Sequence, residues 1–198
     1  MEYDEILQKY SKYTREPIML NGVRILRPDE YERIRSVVPK PQYKIMLQTL
    51  LYTGMRYIET QRFHKHKGWY RGEFIHLPKE AVHKNKRTQL ERYVRLNEQG
   101  RMAVEQFLYC KNNLPTVQAW GQNMKRWAKY GNLRPLGLCA KTTRKTWESW
   151  LVYYYPERAI NVAKSQGHNL DTQYEHYLNM PFTDIDKFQM KKYVEGWI

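Results

Sequence analysis

Lys164-Ser165-Gln166-Gly167-His168-Asn169-Leu170-Asp171-Thr172-Gln173-Tyr174-Glu175-His176-Tyr177 carries the punctuation around which the rest of the chain is arranged. A helix is expected to stop at Gly167, and a new one to open with Asp171 or Thr172 as its N-cap. His168 then stands in the turn, with Tyr177 about two helical turns further on. Taken alone, a turn histidine and a helical tyrosine are ordinary structural residues. They gain chemical meaning only if other segments bring groups to the same atom.

The composition narrows what those groups could act on. Lys and Arg number 34 against 20 Asp and Glu, a formal charge of +14, which favours a polyanionic partner. The basic residues run along the whole chain instead of gathering in one tail. Double-stranded DNA suits such a surface, since roughly six to ten phosphate contacts, each releasing counterions, dominate affinity. With 198 residues, 41% of them hydrophobic, the chain is long enough for one domain with an ordinary core. Cys110 and Cys139 make neither a disulfide framework nor a zinc site, and a reducing interior is the simpler reading. No apolar run approaches the roughly 20 residues that span a bilayer, and no leader is evident, so an intracellular protein is expected.

In chain order, residues 1–24 are polar and Tyr-rich, punctuated by Pro17 and Gly22, and read as an N-terminal arm. Arg27-Pro28-Asp29-Glu30 starts a helix with acidic residues in the first turn, where the macrodipole favours them. Pro41 opens a second, largely buried helix carrying Ile45, Leu47, Leu50 and Leu51, which ends near Thr53-Gly54. A short helix follows from Tyr57 to about Phe63. Residues 73–77 and 89–96 alternate as strands, the second through Leu90, Tyr93 or Val94, and Leu96. Between them His83-Lys84-Asn85-Lys86-Arg87 makes a strongly basic turn or strand edge. Asn97 and Thr116 cap two further helices, the second with Trp120, Met124 and Trp127 on one face. A helix over 140–155 carries Trp147, Leu151 and Tyr154 as its apolar stripe, with Lys141 and Arg144 on one side of its start. Residues 183–197 form an amphipathic C-terminal helix bearing Ile185, Phe188, Tyr193 and Trp197. Something must cover that stripe, either a neighbouring subunit or the same chain. The fold class is mainly α with a small antiparallel β-sheet (α+β).

Four separated pieces then stand out: Thr53-Gly54-Met55-Arg56-Tyr57-Ile58-Glu59, the basic hairpin, Lys141-Thr142-Thr143-Arg144, and Gly167-His168 with Tyr177. Together, over about residues 27–177, they resemble the tyrosine recombinase family. Arg56 matches the arginine of the T-G-x-R-x-x-E box, and Glu59 the acidic residue that braces it. Arg144 matches the arginine of the H/K-x-x-R box, His168 the L-G-H box, and Tyr177 the nucleophile. There are departures. Lys141 replaces the commoner His, Lys145 follows Arg144, and Gln166 stands where Leu is usual. The lysine variant looks most like integrases of archaeal fuselloviruses and related mobile elements, and also occurs in poxvirus-type IB topoisomerases.

The resemblance implies the tyrosine recombinase catalytic-domain fold over 25–198, with the C-terminal helix at 183–197 included. It leaves no room for the family's separate core-binding domain, so the chain is either an isolated catalytic domain or a minimal enzyme relying on residues 1–24. The chemistry asks for the same residue types. Tyr177 would attack phosphorus, giving a 3′-phosphotyrosyl link and a 5′-hydroxyl. A phenol of pKa about 10 needs roughly 4 kcal/mol of help to be phenolate at neutral pH. Arg56 and Arg144 would supply that field and clamp the phosphate, with His168 donating to the same oxygens and Lys141 doing likewise or contacting an adjacent phosphate. The leaving 5′-oxygen needs an acid. Counting back from Arg92-Tyr93-Val94-Arg95-Leu96, which resembles the strand after the family's lysine, favours Lys86, with Lys84 the runner-up. Tyr174, three residues before Tyr177, reads as packing.

No metal or ATP is expected, because arginines neutralise charge and the phosphotyrosyl bond keeps the energy for religation. His64 and His66, flanked by Lys65 and Lys67, suggest a basic loop on DNA more than a ligand pair. The expected function is a site-specific recombinase or integrase of an archaeal virus or plasmid, acting as a tetramer on two DNA sites and weakly associated or monomeric without DNA. The alternatives are a type IB topoisomerase-like nicking-closing enzyme and a non-catalytic DNA-binding module.

Overall fold

The computed structural model describes residues 15–81, 91–111, 113–167 and 180–197. Its first element is a hairpin of β1 (Ile18–Leu20) and β2 (Val23–Ile25), paired antiparallel with Leu20 opposite Val23. Asn21 and Gly22 both adopt positive φ, 49° and 72°, as a two-residue turn must if its twist is to match the strands. Ile18 and Ile25 are buried. Of the expected arm, residues 15–24 are therefore seated on the body, through Arg24 N–H donating to Gly137 O at 2.9 Å and the Leu26 N–H to Thr146 Oγ1 at 3.0 Å.

Helix α1 (Pro28–Val37) begins with proline and two acids; α2 (Pro41–Thr53) begins with proline and ends at Gly54, whose φ of 56° only glycine takes without strain. Helix α3 (Tyr57–Lys65) follows at once. Strands β3 (Phe74–Leu77) and β4 (Arg92–Arg95) then pair antiparallel, Ile75 opposite Val94, with Ile75, Leu77 and Val94 turned into the core. There are thus two two-stranded sheets among the described residues, where the sequence reading expected one. Asn97 and Thr116 cap α4 (Glu98–Tyr109) and α5 (Val117–Tyr130) by accepting from Gly100 N and Ala119 N. Trp120, Met124 and Trp127 are buried together, as their spacing predicts.

Helix α6 (Thr142–Tyr154) is the centre of the molecule. It packs against β2, α2, α7 (Ala159–Gln166) and α8 (Asp184–Val194), so every residue from 142 to 152 except Lys145 is buried. The expected Trp147–Leu151–Tyr154 stripe widens into burial on all sides, because neighbours surround the helix. Helix α8 docks on α6 and α1 of its own chain. Met190, Tyr193, Val194 and Trp197 are buried, and Trp197 Nε1 donates to Arg95 O at 3.2 Å. Phe188, expected on the apolar stripe, is 63% exposed, while Asp186 faces inward. Among the described residues no helix is long and apolar enough to cross a membrane.

Candidate active site

The site is built at the meeting point of four helix ends. Helix α2 stops at Gly54, α3 starts at Tyr57, α6 starts at Thr142 and α7 stops at Gln166. Arg56 is the N-cap of α3, and Glu59, at the third position of that helix, reaches back to accept from the Arg56 N–H at 2.8 Å. This one-way cap fixes Glu59 at the helix N-terminus, where the dipole also favours an anion.

Glu59 is fully buried yet well satisfied. Its Oε1 accepts from Arg56 Nη1 at 2.8 Å and from Arg92 Nη1 at 3.0 Å, while Oε2 accepts from Arg92 Nη2 at 2.6 Å and the Arg56 backbone. Burial pushes this carboxyl up, but Arg92, then Arg144 and Arg56, pull it down to about 2. Arg56 keeps its outer edge open, with 31% of its side chain exposed.

Arg144 projects from the first turn of α6 into this cluster. Its Nη1 donates to Gly54 O at 2.7 Å and its Nη2 to Gln166 O. One guanidinium thus ties the end of α2 to the end of α7, two stretches 112 residues apart by number and both singled out in the sequence. Burial, then the like charges of Arg92 and Arg56, hold Arg144 down at about 10, so the proton is still bound at neutral pH. A cation so placed gains from any anion that arrives beside it.

Two glycines allow the close approach. A Cβ on Gly54 would lie 2.4 Å from the Gln166 side chain, whose Nε2 donates to Thr53 O at 3.4 Å. The glutamine that departs from the usual leucine therefore packs directly on the T-G box. Gly167, at φ 68°, ends α7, and a Cβ there would meet Arg92 Cδ at 3.0 Å.

Lys141 stands exposed at the N-cap of α6, three residues before Arg144. Its neighbour Lys145 is half-buried and donates to Leu20 O at 3.1 Å, holding the first hairpin. Of the predicted site residues, Arg56, Glu59 and Arg144 are gathered in one place and Lys141 lies at the start of the same helix as Arg144. His168 and Tyr177, with Tyr174, Lys84 and Lys86, lie outside the described residues. His64 Nε2 is within hydrogen-bond distance, 2.8 Å, of Cys110 O, and His66 stacks on Trp69. Among the described residues no group of three or more His, Cys, Asp or Glu could hold a metal.

Arg92 escaped sequence reasoning. It served there only to mark a strand, yet it is the buried partner of Glu59. The signal was its parity: Arg92 shares the inward face with Val94, and a charge on that face needs a buried counter-charge.

Solved structures that share this fold include two complexes of one recombinase. One is the XerH site-specific recombinase bound to its difH substrate in a pre-cleavage complex, at 18% identity and a TM-score of 0.51, covering 80% of this chain and 51% of that one. The other is XerH on a palindromic difH substrate in a post-cleavage complex, at 16% identity and a TM-score of 0.51, covering 87% and 52%. The chain spans about half the length of these proteins. No protein-family profile and no curated protein matches it. The fold is therefore the tyrosine recombinase catalytic-domain fold, mostly helical with two small antiparallel sheets.

Proposed function

We propose that this chain is a site-specific DNA recombinase that cleaves and rejoins DNA through a 3′-phosphotyrosyl intermediate. The observation that carries the reading is the junction of Arg56 and Arg144. Two boxes far apart in sequence converge on one spot, with Arg56 braced by Glu59 and open to solvent and Arg144 locked beside it. Cations gathered in this way suit the non-bridging oxygens of a phosphodiester. The fold shared with XerH, whose complexes hold its difH substrate, supports the same reading.

In the proposed reaction Tyr177 Oη attacks phosphorus and the P–O5′ bond breaks. Arg56 and Arg144 take the charge on the non-bridging oxygens, with His168 donating to the same oxygens and Lys141 to them or to an adjacent phosphate. The departing 5′-oxygen takes its proton from Lys86, or from Lys84 if the hairpin register differs. Religation reverses the step, so neither metal nor nucleotide is consumed. Lys141 in the first position of its box favours an integrase of an archaeal virus or plasmid, working as a tetramer on two DNA sites inside the cell.

The test is a suicide substrate whose cleaved strand cannot rejoin. Wild type is expected to form a covalent adduct, and Tyr177→Phe to bind the same DNA and form none. An adduct that persists in Tyr177→Phe and disappears in Tyr174→Phe moves the nucleophile to Tyr174. No adduct from the wild type leaves a DNA-binding module without this chemistry. Ligation between paired substrates then distinguishes strand exchange from nicking and closing.

A further inference from the structure

Arg92 is a buried cation that the reaction above does not use. Three of its donors are committed inside the protein: Nη1 and Nη2 to the two oxygens of Glu59, and Nε to Ser165 O at 3.1 Å. Its aliphatic stem lies under Gly167, close enough that a Cβ there would stand 3.0 Å from Cδ. The same strand makes a second bond to the same helix end, Arg95 N donating to Ser165 Oγ at 3.2 Å. One fork therefore spans the brace of Arg56 and the turn that leads into His168.

We propose that Arg92 is a positioning residue, which sets the Glu59–Arg56 pair and the Ser165–Gly167 turn in one fixed relation. It rests on the recombinase reading for its effect on rate, and on geometry alone for the coupling. Its guanidinium is turned away from solvent, so it touches no substrate and acts through Arg56 and through the turn. Only a planar fork can do this. Lysine would keep the charge, but a single ammonium cannot meet both Glu59 oxygens and Ser165 O together.

The experiment compares wild type, Arg92→Lys, Arg56→Ala and the double variant in single-turnover cleavage, with amide hydrogen exchange on each. Arg92→Lys is expected to slow cleavage ~10²-fold, the scale of an angstrom-size misplacement. Its DNA Kd should stay within about twofold, since Arg92 makes no phosphate contact. In the double variant, Arg92→Lys should cost much less than it does alone, because part of its effect passes through Arg56. Exchange should quicken at 56–60 and 163–167 and stay unchanged in α5.

Wild-type cleavage by Arg92→Lys, or fully multiplicative losses in the double variant, would overturn the proposal. So would unchanged exchange at both segments. If wild type itself forms no adduct, the recombinase reading falls and the exchange pattern alone decides the coupling. Should Arg92→Lys not fold, Arg92→Gln takes its place; failure of both makes Arg92 a residue of stability and sinks the positioning role.

Discussion

Two helices of this protein start with the same four-residue pattern, and the structure uses them differently. Helix α1 starts at Arg27-Pro28-Asp29-Glu30 and α3 at Arg56-Tyr57-Ile58-Glu59. In both, the third helical residue is a glutamate that accepts from the N-cap N–H, Glu30 at 3.0 Å and Glu59 at 2.8 Å. Each glutamate also takes a remote arginine, Arg24 at 2.7 Å on Glu30 and Arg92 on Glu59. The divergence lies in the cap arginines. Arg27 is buried and bonded to Asp186, which also holds Arg15 at 2.9 Å. Arg15 in turn meets Asp29 at 3.0 Å, so Arg15, Arg24 and Arg27 face Asp29, Glu30 and Asp186.

Among the described residues, the charges around Glu59 do not balance in this way. Arg56, Arg92 and Arg144 all act on that one carboxylate, and Arg144 also feels Glu148. A neutral cluster holds elements together. A cluster with cations in excess, one of them open to solvent, is prepared for an anion. The local sequence device is one; the number of counter-charges brought by the fold decides whether it is a staple or a site.

That contrast can be broken most forcefully at Asp186. Asp186→Ala leaves Arg27 buried without its carboxylate and should destabilise the protein by about 3–5 kcal/mol, read from denaturant melts. Cleavage by the folded fraction should be unchanged. A selective loss of cleavage with normal stability would show that the α1 cluster is no mere staple.

Arg56→Ala is the complementary change. Cleavage should fall about 10²–10³-fold, as when one oxyanion donor is removed. Stability should change by only about 1 kcal/mol, since the arginine is partly exposed and Glu59 retains Arg92. A large drop in stability with cleavage intact would reverse the assignment of the two helix starts.

The smallest effect concerns pH. The folded Glu59 carboxyl sits below its ordinary value, so the folded protein binds its proton less tightly than the unfolded chain does. Its contribution to stability is complete above the ordinary glutamate range and is lost as pH falls through about 2. Glu59→Gln should flatten the decline of stability over that acid window, measured by melts at a series of pH values. An unaltered acid slope would mean that other carboxylates carry it.

Much of this molecule is legible in the chain, and the legible parts share a cause. Pro41, Gly54, Asn97, Thr116, Gly167 and Thr183 start or stop helices through their own backbone preferences or through bonds reaching no more than a few residues, so the sequence states them directly. The T-G-x-R-x-x-E and K-x-x-R boxes are legible for the same reason, because each fixes an arginine at a helix start. The hairpin of β1 and β2 is also written in Asn21-Gly22 between apolar residues, although the polar residues around it blur the alternation.

Other features depended on partners distant in the chain. Glu59 meets Arg92 across 33 positions and Arg27 meets Asp186 across 159, and no local pattern specifies which arginine a buried carboxylate will find. Likewise, the inward face of α8 went to Asp186 and Met190 while Phe188 was left outside, because Arg27 at the start of α1 offered a counter-charge there and the helix packs on α6 and α1. The sequence by itself determined where helices begin and which arginines stand at their starts. Only the tertiary structure decided which of those arginines is neutralised and which is left facing solvent, since desolvation and Coulomb energy depend on every charge in reach rather than on order along the chain.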